Sequence, residues 1–200
     1  LQNLTKNLQA NSDNPLLISI DQEGGKVNRL KKRYGFPDFP SWNEIGFIDD
    51  IQNTKQYSEL LGNCLNDVGI NLNYAPVLDL DYGKSSYIGN ANRALSKEPN
   101  KVIKHSSVFI SELKKTGVLS CAKHFPGQGS GTGDTHEGLT DITKTWSEFE
   151  LLPYQKLIEQ NKLEMVMISH VFHRDLDPNL PASLSHKITT ELLRDKIKFK

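Results

Sequence analysis

Apolar runs alternate with helically spaced stretches along the whole chain, and this alternation restricts the fold more than any other feature. Pro15-Leu16-Leu17-Ile18-Ser19-Ile20 predicts a buried strand, followed by a long polar loop holding Pro37 and Pro40. A helix is expected over 50–68, where Tyr57, Leu61, Cys64, Leu65 and Val68 keep the spacing of one apolar face and Gly69 ends it. A second strand is expected over 72–78, with Pro76 tolerated near its end. The next helix, over 100–115, would bury Val102, Phe109, Ile110 and Leu113 before Gly117 stops it. A third strand, over 118–122, opens into a glycine-rich loop. The helix after it is expected to start at Thr145, whose spacing to Glu148 spells a capping box, with Phe149, Leu152, Leu157 and Ile158 facing inward. A fourth strand over 164–169 leads to His170, and a last helix follows Ser185 with Ile188, Leu192 and Leu193 inward.

Strand and helix in alternation imply an α/β fold, a parallel sheet with helical crossovers. Asp21, Asp79, Lys123-His124 and His170 each stand where an apolar strand gives way to a loop, so all are expected at the carboxyl edge of one sheet. Ligands gather at that edge in (β/α)₈ barrels and in doubly wound open sheets alike, and the pattern leaves both open. With 36% hydrophobic residues, 200 residues can form a sizeable core. The balance of 24 basic and 24 acidic residues gives no electrostatic footprint for nucleic acid or membrane. Cys64 and Cys121 are far apart with no CxxC and read as two buried free thiols. There is no apolar run long enough to span a bilayer and no secretory signal at the start; Asn3-Leu4-Thr5 spells a glycosylation sequon by chance.

The stretch Lys123-His124-Phe125-Pro126-Gly127-Gln128-Gly129-Ser130-Gly131-Thr132-Gly133-Asp134-Thr135-His136 joins a cationic pair to an Asp-x-His pair. Glycines at 127, 129, 131 and 133 resist helix and strand, so the segment is expected to swing, with Phe125-Pro126 stiffening its root. Histidine titrates near neutrality, and Asp134 is placed to orient His136 and stabilise its protonated form. The glycine spacing fits neither GxGxxG nor GxxxxGK[ST], which removes a phosphate cradle. Imidazole and carboxylate at His124, Asp134 and His136 suit zinc, but no HExxH or CxxC framework accompanies them. A solvated linker is the bland alternative, and Lys-His at one end with Asp-x-His at the other argues against it. The His-x-x-His of His170 and His173 follows a strand, and we read His170 as a pocket-wall residue and His173 as a surface one. Asp79 reads as a structural acceptor at a strand end, and Glu23, beside two glycines, as a residue that fixes its loop.

These motifs are similar to those of family 3 glycoside hydrolases of the β-N-acetylglucosaminidase branch, in which Lys-His-Phe-Pro-Gly-His-Gly is followed by Asp-Ser/Thr-His. Ile20-Asp21-Gln22-Glu23-Gly24-Gly25-Lys26-Val27-Asn28-Arg29 resembles the family's IDQEGGRVxR, Asn73-Tyr74-Ala75-Pro76-Val77-Leu78-Asp79 its FAPVLD, and Ile88-Gly89 leading to Arg93 its IGxRSF. Ser169-His170-Val171 and Pro181-Ala182-Ser183-Leu184-Ser185 follow in the family's order, so the resemblance covers nearly the whole chain. It implies a (β/α)₈ barrel in which Asp21, Arg29, Arg93, Lys123 and His124 bind the sugar, and His136 is the general acid/base with Asp134 as its partner. Gln128 stands where the family has His, which alters loop docking; Lys26 replaces Arg; and the segment before Arg93 is longer than the common form, which leaves Arg93 the least anchored of the transfers.

The resemblance further implies exo-hydrolysis of terminal β-linked N-acetylglucosamine by a retaining double displacement, with no metal or organic cofactor. The partner is then an N-acetylglucosamine-containing glycan, of peptidoglycan or chitin type, and neither nucleic acid nor membrane; a monomer is expected. The family's nucleophilic Asp falls after the point where this chain ends, so residues 1–200 are expected to be a partial N-terminal barrel domain, truncated at both ends and inactive alone. Members of the β-glucosidase type lack the Asp-x-His loop. A silent sugar-binding barrel, or a metal-dependent hydrolase using His124, His136 and His170, are the alternatives, and a cytoplasmic or a periplasmic or secreted location both stay open.

Overall fold

The structure, a computed structural model, describes residues 1–200. Its strands are β1 (Ser19–Ile20), β2 (Leu72–Asn73), β3 (Leu119–Phe125), β4 (Thr140–Asp141), β5 (Met165–Ile168) and β6 (Val171–Phe172). The helices are α1 (Gln2–Ala10), α2 (Trp42–Ile48), α3 (Ile51–Asp67), α4 (Tyr87–Asn90), α5 (Pro99–Lys115), α6 (Leu152–Glu159) and α7 (Lys187–Lys196), the last wound as a π-helix.

The main sheet is wholly parallel, in the order β1-β2-β3-β5, and β4 pairs with β6 in a small sheet that was not anticipated. Successive strands of the main sheet are neighbours and the order never reverses. A doubly wound sheet reverses at its switch point, whereas a barrel wall does not. The architecture is therefore α/β of the (β/α)₈ type, with a sheet that forms an arc and does not close within these residues.

Pairing is shorter than the apolar runs suggest at the first two strands and longer at the third. Leu17 is exposed, and the chain before β1 is held by side-chain amides in place of a ladder. Gln9 both donates to the Leu16 carbonyl (2.8 Å) and accepts from its N–H (3.0 Å), while Asn71 Oδ1 accepts from the Ile18 N–H (2.7 Å). β2 ends at Asn73, ahead of Pro76, which has no N–H to give, and pairing with β3 resumes as a bridge between Val77 and Lys123, where the Pro76 carbonyl accepts the Lys123 N–H. β3 runs on to Phe125 because it has partners on both sides, with Lys123 opposite Met167 and Phe125 opposite Ile168. Lys123 and His124 are thus strand residues and not the root of a loop.

The helices build the layer behind the sheet. Ser41 and Glu44 form a reciprocal capping box on α2, and Asp50 caps α3 by accepting from the Gln52 N–H. Gly69 and Gly117 adopt positive φ (75° and 84°) beyond the ends of α3 and α5. Leu61 and Leu65 of α3 pack with Val102, Phe109, Ile110 and Leu113 of α5 in one core that also holds Trp42, whose ring meets Phe109 edge-on at 5.4 Å. Each such buried Leu or Phe contributes roughly 1.5–3 kcal/mol.

Thr145 does not cap a helix. Ser147 does, at the start of a 3₁₀ turn over Glu148–Leu151 that leads into α6, where Pro153 occupies the first turn. Three residues per turn instead of 3.6 rotate the inner face, so Phe149 is exposed and Glu150 is buried, the reverse of the periodicity reading. Ile188, Leu192 and Leu193 of α7 are buried as expected. No helix is long and apolar enough to cross a membrane.

Candidate active site

Asp21 follows β1, Asp79 follows the Val77 bridge, Lys123 and His124 lie on β3, and Ser169 and His170 follow β5. Because the strands are parallel, these positions share one end of the sheet. There they surround a cavity of about 500 Å³ lined by Asp21, Arg29, Arg93, Lys123, His124, His136 and His170, among others. Asp21 and Lys123 line one pocket, with Arg29 and His124 beside them, and neither Cys64 nor Cys121 reaches it.

A chain of charges forms the pocket floor. The Lys123 ammonium, 2% exposed, lies 2.6 Å from Asp21 Oδ1 and 2.6 Å from Glu23 Oε1. Glu23 also takes a fork from Arg93, Nε to Oε2 and Nη2 to Oε1, both 2.8 Å. Burial alone would push the Glu23 carboxyl up, but Arg93 and Lys123 together outweigh it and hold it at about 2. Arg93 Nη2 lies 3.3 Å from His124 Nε2, and His124 Nδ1 lies 2.5 Å from Asp79 Oδ2. Arginine only donates, so Nε2 accepts and Nδ1–H donates to Asp79, which fixes the tautomer. Asp79 Oδ1 takes the Gln128 N–H at 2.8 Å, as suits a structural acceptor.

The glycine-rich segment divides into two halves. Its first half is packed and pinned, contrary to the expectation of a swinging loop. Gln128 and Ser130 are buried, the Gly127 N–H reaches the His124 carbonyl (2.8 Å), and the Gly129 N–H reaches Glu150 Oε2 (2.9 Å). A Cβ at Gly129 would stand 2.3 Å from the Leu80 carbonyl oxygen, and one at Gly127, where φ is +118°, 2.5 Å from Glu150 Cβ. Glycine is required there for close approach. Burial and the negative charge of Asp79 push the Glu150 carboxyl up to about 8, so it is protonated at neutral pH.

The second half is partly exposed and carries the Asp-x-His pair. His136 Nδ1 lies 2.7 Å from Asp134 Oδ1, which also accepts the His136 N–H at 3.0 Å. Tyr87 donates its hydroxyl to Asp134 Oδ2 at 2.7 Å. The His136 N–H, the Tyr87 hydroxyl and the imidazole together hold Asp134 at about 2. The imidazole is 85% exposed, lines the cavity, and leaves Nε2 without a hydrogen bond.

His173 departs from its expected place, whereas His170, Arg93 and Glu23 keep theirs. His173 is buried with its ring edge-on to Trp146 at 4.9 Å, and burial lowers its pKa; it is not on the surface. His170 lines the pocket and bonds Ser183 through Nδ1. Arg93, from the lengthened segment, reaches the pocket. Glu23 fixes its loop, its N–H meeting the Val27 carbonyl, and also sits at the centre of the charge network. Gly24 allows this turn, since a Cβ there would stand 2.0 Å from the Pro40 carbonyl oxygen. Tyr87 and Glu150 carried no signal that singled them out in the sequence. Gln128 accepts from Ser169 Oγ at 2.8 Å and reaches Thr135 Oγ1 at 3.5 Å, tying the end of β5 to the loop. His124, His136 and His170 do not form a cluster that could hold an ion, and both nitrogens of His124 are already engaged.

The fold is that of a (β/α)₈ barrel wall with a polar cavity at the carboxyl edge of its strands. Residues 1–200 match the glycosyl hydrolase family 3 N terminal domain, and the chain belongs to that family. A beta-hexosaminidase of Nitrosomonas eutropha is 34% identical over 209 residues, which takes in 100% of this chain and 58% of the relative. The crystal structure of a beta-N-acetylhexosaminidase from Beutenbergia cavernae superposes with a TM-score of 0.91 at 28% identity, covering 100% of this chain and 62% of that one. NagZ from Neisseria gonorrhoeae in complex with N-trifluoroacetyl-D-glucosamine gives 0.89 at 32% identity, covering 99% and 60%. The chain thus spans about three-fifths of the length of these relatives.

Proposed function

We propose that this chain supplies the sugar pocket and the acid/base loop of a retaining β-N-acetylhexosaminidase. The observation that carries the reading is His136. Its Nδ1 is held by Asp134, and its unpartnered Nε2 borders a cavity also lined by Asp21, Glu23, Arg29, Arg93 and Lys123. The relatives named as hexosaminidases, and the one bound to an N-acylglucosamine analogue, support the substrate class.

In this reading Asp21, Arg29, Arg93 and Lys123 bind the hydroxyls and acetamido group of the terminal sugar, and His124, engaged through both ring nitrogens by Arg93 and Asp79, contacts it as the wall that holds Arg93 in place. Protonated His136 donates to the glycosidic oxygen while a carboxylate attacks the anomeric carbon, and neutral His136 then activates water against the glycosyl-enzyme. Retaining glycosidases usually place two carboxyl groups about 5 Å apart for these roles, and here an imidazole takes the second. The nucleophile is assigned to the part of the relatives that residues 1–200 do not match.

The test compares His136→Ala with the parent in the full-length protein on aryl and alkyl N-acetylglucosaminides. Acid catalysis contributes about 10²–10⁴-fold, so turnover of the alkyl glycoside should fall by that much. An aryl leaving group needs little protonation, so its glycosylation should persist while the covalent intermediate accumulates. Parental rates for the variant on both substrates would sink the assignment.

A further inference from the structure

The geometry points to Tyr87 as a positioning residue that completes a Tyr87–Asp134–His136 relay and sets the place of the acid/base. This inference rests on the proposed role of His136 and adds a residue from outside the Asp-x-His motif.

Asp134 has two oxygens and they are used differently. Oδ1 accepts both hydrogen bonds from His136, whereas Oδ2 has one partner, the Tyr87 hydroxyl at 2.7 Å. A carboxylate bonded through one oxygen alone is free to rotate about its last torsion and carry the imidazole with it. Anchoring the second oxygen removes that freedom. Beyond Gly131 the loop is largely exposed, and its hydrogen bonds to the rest of the protein before Thr140 are few: Tyr87 to Asp134, and the long contact of Gln128 with Thr135 at 3.5 Å.

Tyr87 itself is firmly based. Ser86 Oγ accepts the Gly89 N–H at 3.1 Å and caps α4, Ile88 is fully buried, and the Tyr87 N–H meets the Gly131 carbonyl at 2.8 Å. One residue thus grips the loop twice, by its backbone where the loop leaves the packed half and by its hydroxyl at the acid/base pair. The hydrogen bond to Asp134, with partial burial, raises the Tyr87 pKa, which favours the protonated hydroxyl that donates. Only a phenol in this place reaches across; Phe would keep the packing and the backbone bond and lose the tether.

The experiment uses Tyr87→Phe in the full-length protein, with alkyl and aryl N-acetylglucosaminides as substrates. Loss of a hydrogen bond to a charged group sets the scale at about 10- to 100-fold. kcat on the alkyl glycoside is expected to fall by that factor with KM unchanged, and kcat/KM on the aryl glycoside to stay at the parental value. In an Asp134→Ala background the same change should add nothing. Amide exchange at 134–137 should quicken in Tyr87→Phe, a readout that needs no turnover. Parental alkyl turnover, an equal loss on both substrates that persists without Asp134, or unchanged exchange would each overturn the relay. If the parent does not cleave N-acetylglucosaminides, the hexosaminidase reading fails and the exchange measurement still decides whether Tyr87 holds the loop. If His136→Ala is impaired and Tyr87→Phe is not, the relay alone fails.

Discussion

Glu23 is ionised in a place that water hardly reaches, and two cations make that possible. Removing one partner of a buried ion pair costs far more than the pair itself contributes, because the remaining charge is left without compensation. The carboxyl moves from an ordinary 4.5 to about 2 on folding. A folded value below the unfolded one means that the contribution is complete above about pH 4.5 and is lost as pH falls toward 2. At 1.36 kcal/mol per unit it is worth roughly 3 kcal/mol. Urea unfolding of the parent and of Glu23→Gln between pH 2 and 5 measures it; the parent should lose stability more steeply, and parallel curves would contradict the assignment. Much of the site was legible at this scale. Asp21, Lys123 and His124 stood out because charged groups at the ends of apolar strands have few structural reasons to be there, and Asp134 and His136 because an Asp-x-His pair in a glycine-rich loop is unlike a plain linker. Glu23 was legible as a loop residue only, because its inward turn depends on Gly24 meeting Pro40 across the fold. Tyr87 lay 47 residues from its partner and spelled nothing locally.

At the scale of elements, the glycine-rich segment behaves as a packed corner followed by an exposed arm. Gly129 and Gly138 are under different demands. Gly129→Ala would press a methyl group against the Leu80 backbone, which cannot retreat like a flexible side chain, and is expected to cost about 1–3 kcal/mol. Gly138 has open space around its Cβ position, and Gly138→Ala should leave the urea midpoint unchanged or raise it slightly. Equal effects at the two positions would remove the distinction. Composition alone reads both as loose loop, which is why the packed half was missed. The long helices α3 and α5 were legible because 17 residues of one periodicity average out local noise. The turn over Glu148–Leu151 was not, since a 3₁₀ winding there changes which side chains face inward and sequence spacing cannot reveal winding.

For the whole molecule, stability against pH is expected to have two opposed slopes. Glu23 contributes from the acid side, while Glu150, pushed up to about 8, works against folding as pH rises from its ordinary 4.5 through that value. Gln at 150 keeps an acceptor for the Gly129 N–H and needs no proton. Glu150→Gln should therefore gain a few kcal/mol over the parent above pH 8 and nothing near pH 4, as thermal melts across that range would show. A constant difference at all pH values would mean that Glu150 is not the titrating group. Sequence alternation conveyed an α/β fold but could not choose between barrel and open sheet, because both share it; the order β1-β2-β3-β5 decides. That order also leaves β1 and β5 each with a strand on one side only. Their outer rows of N–H and C=O groups are templates for any extended peptide that comes near. Residues 1–200 produced alone are expected to self-associate along both margins, and sedimentation at rising concentration checks it.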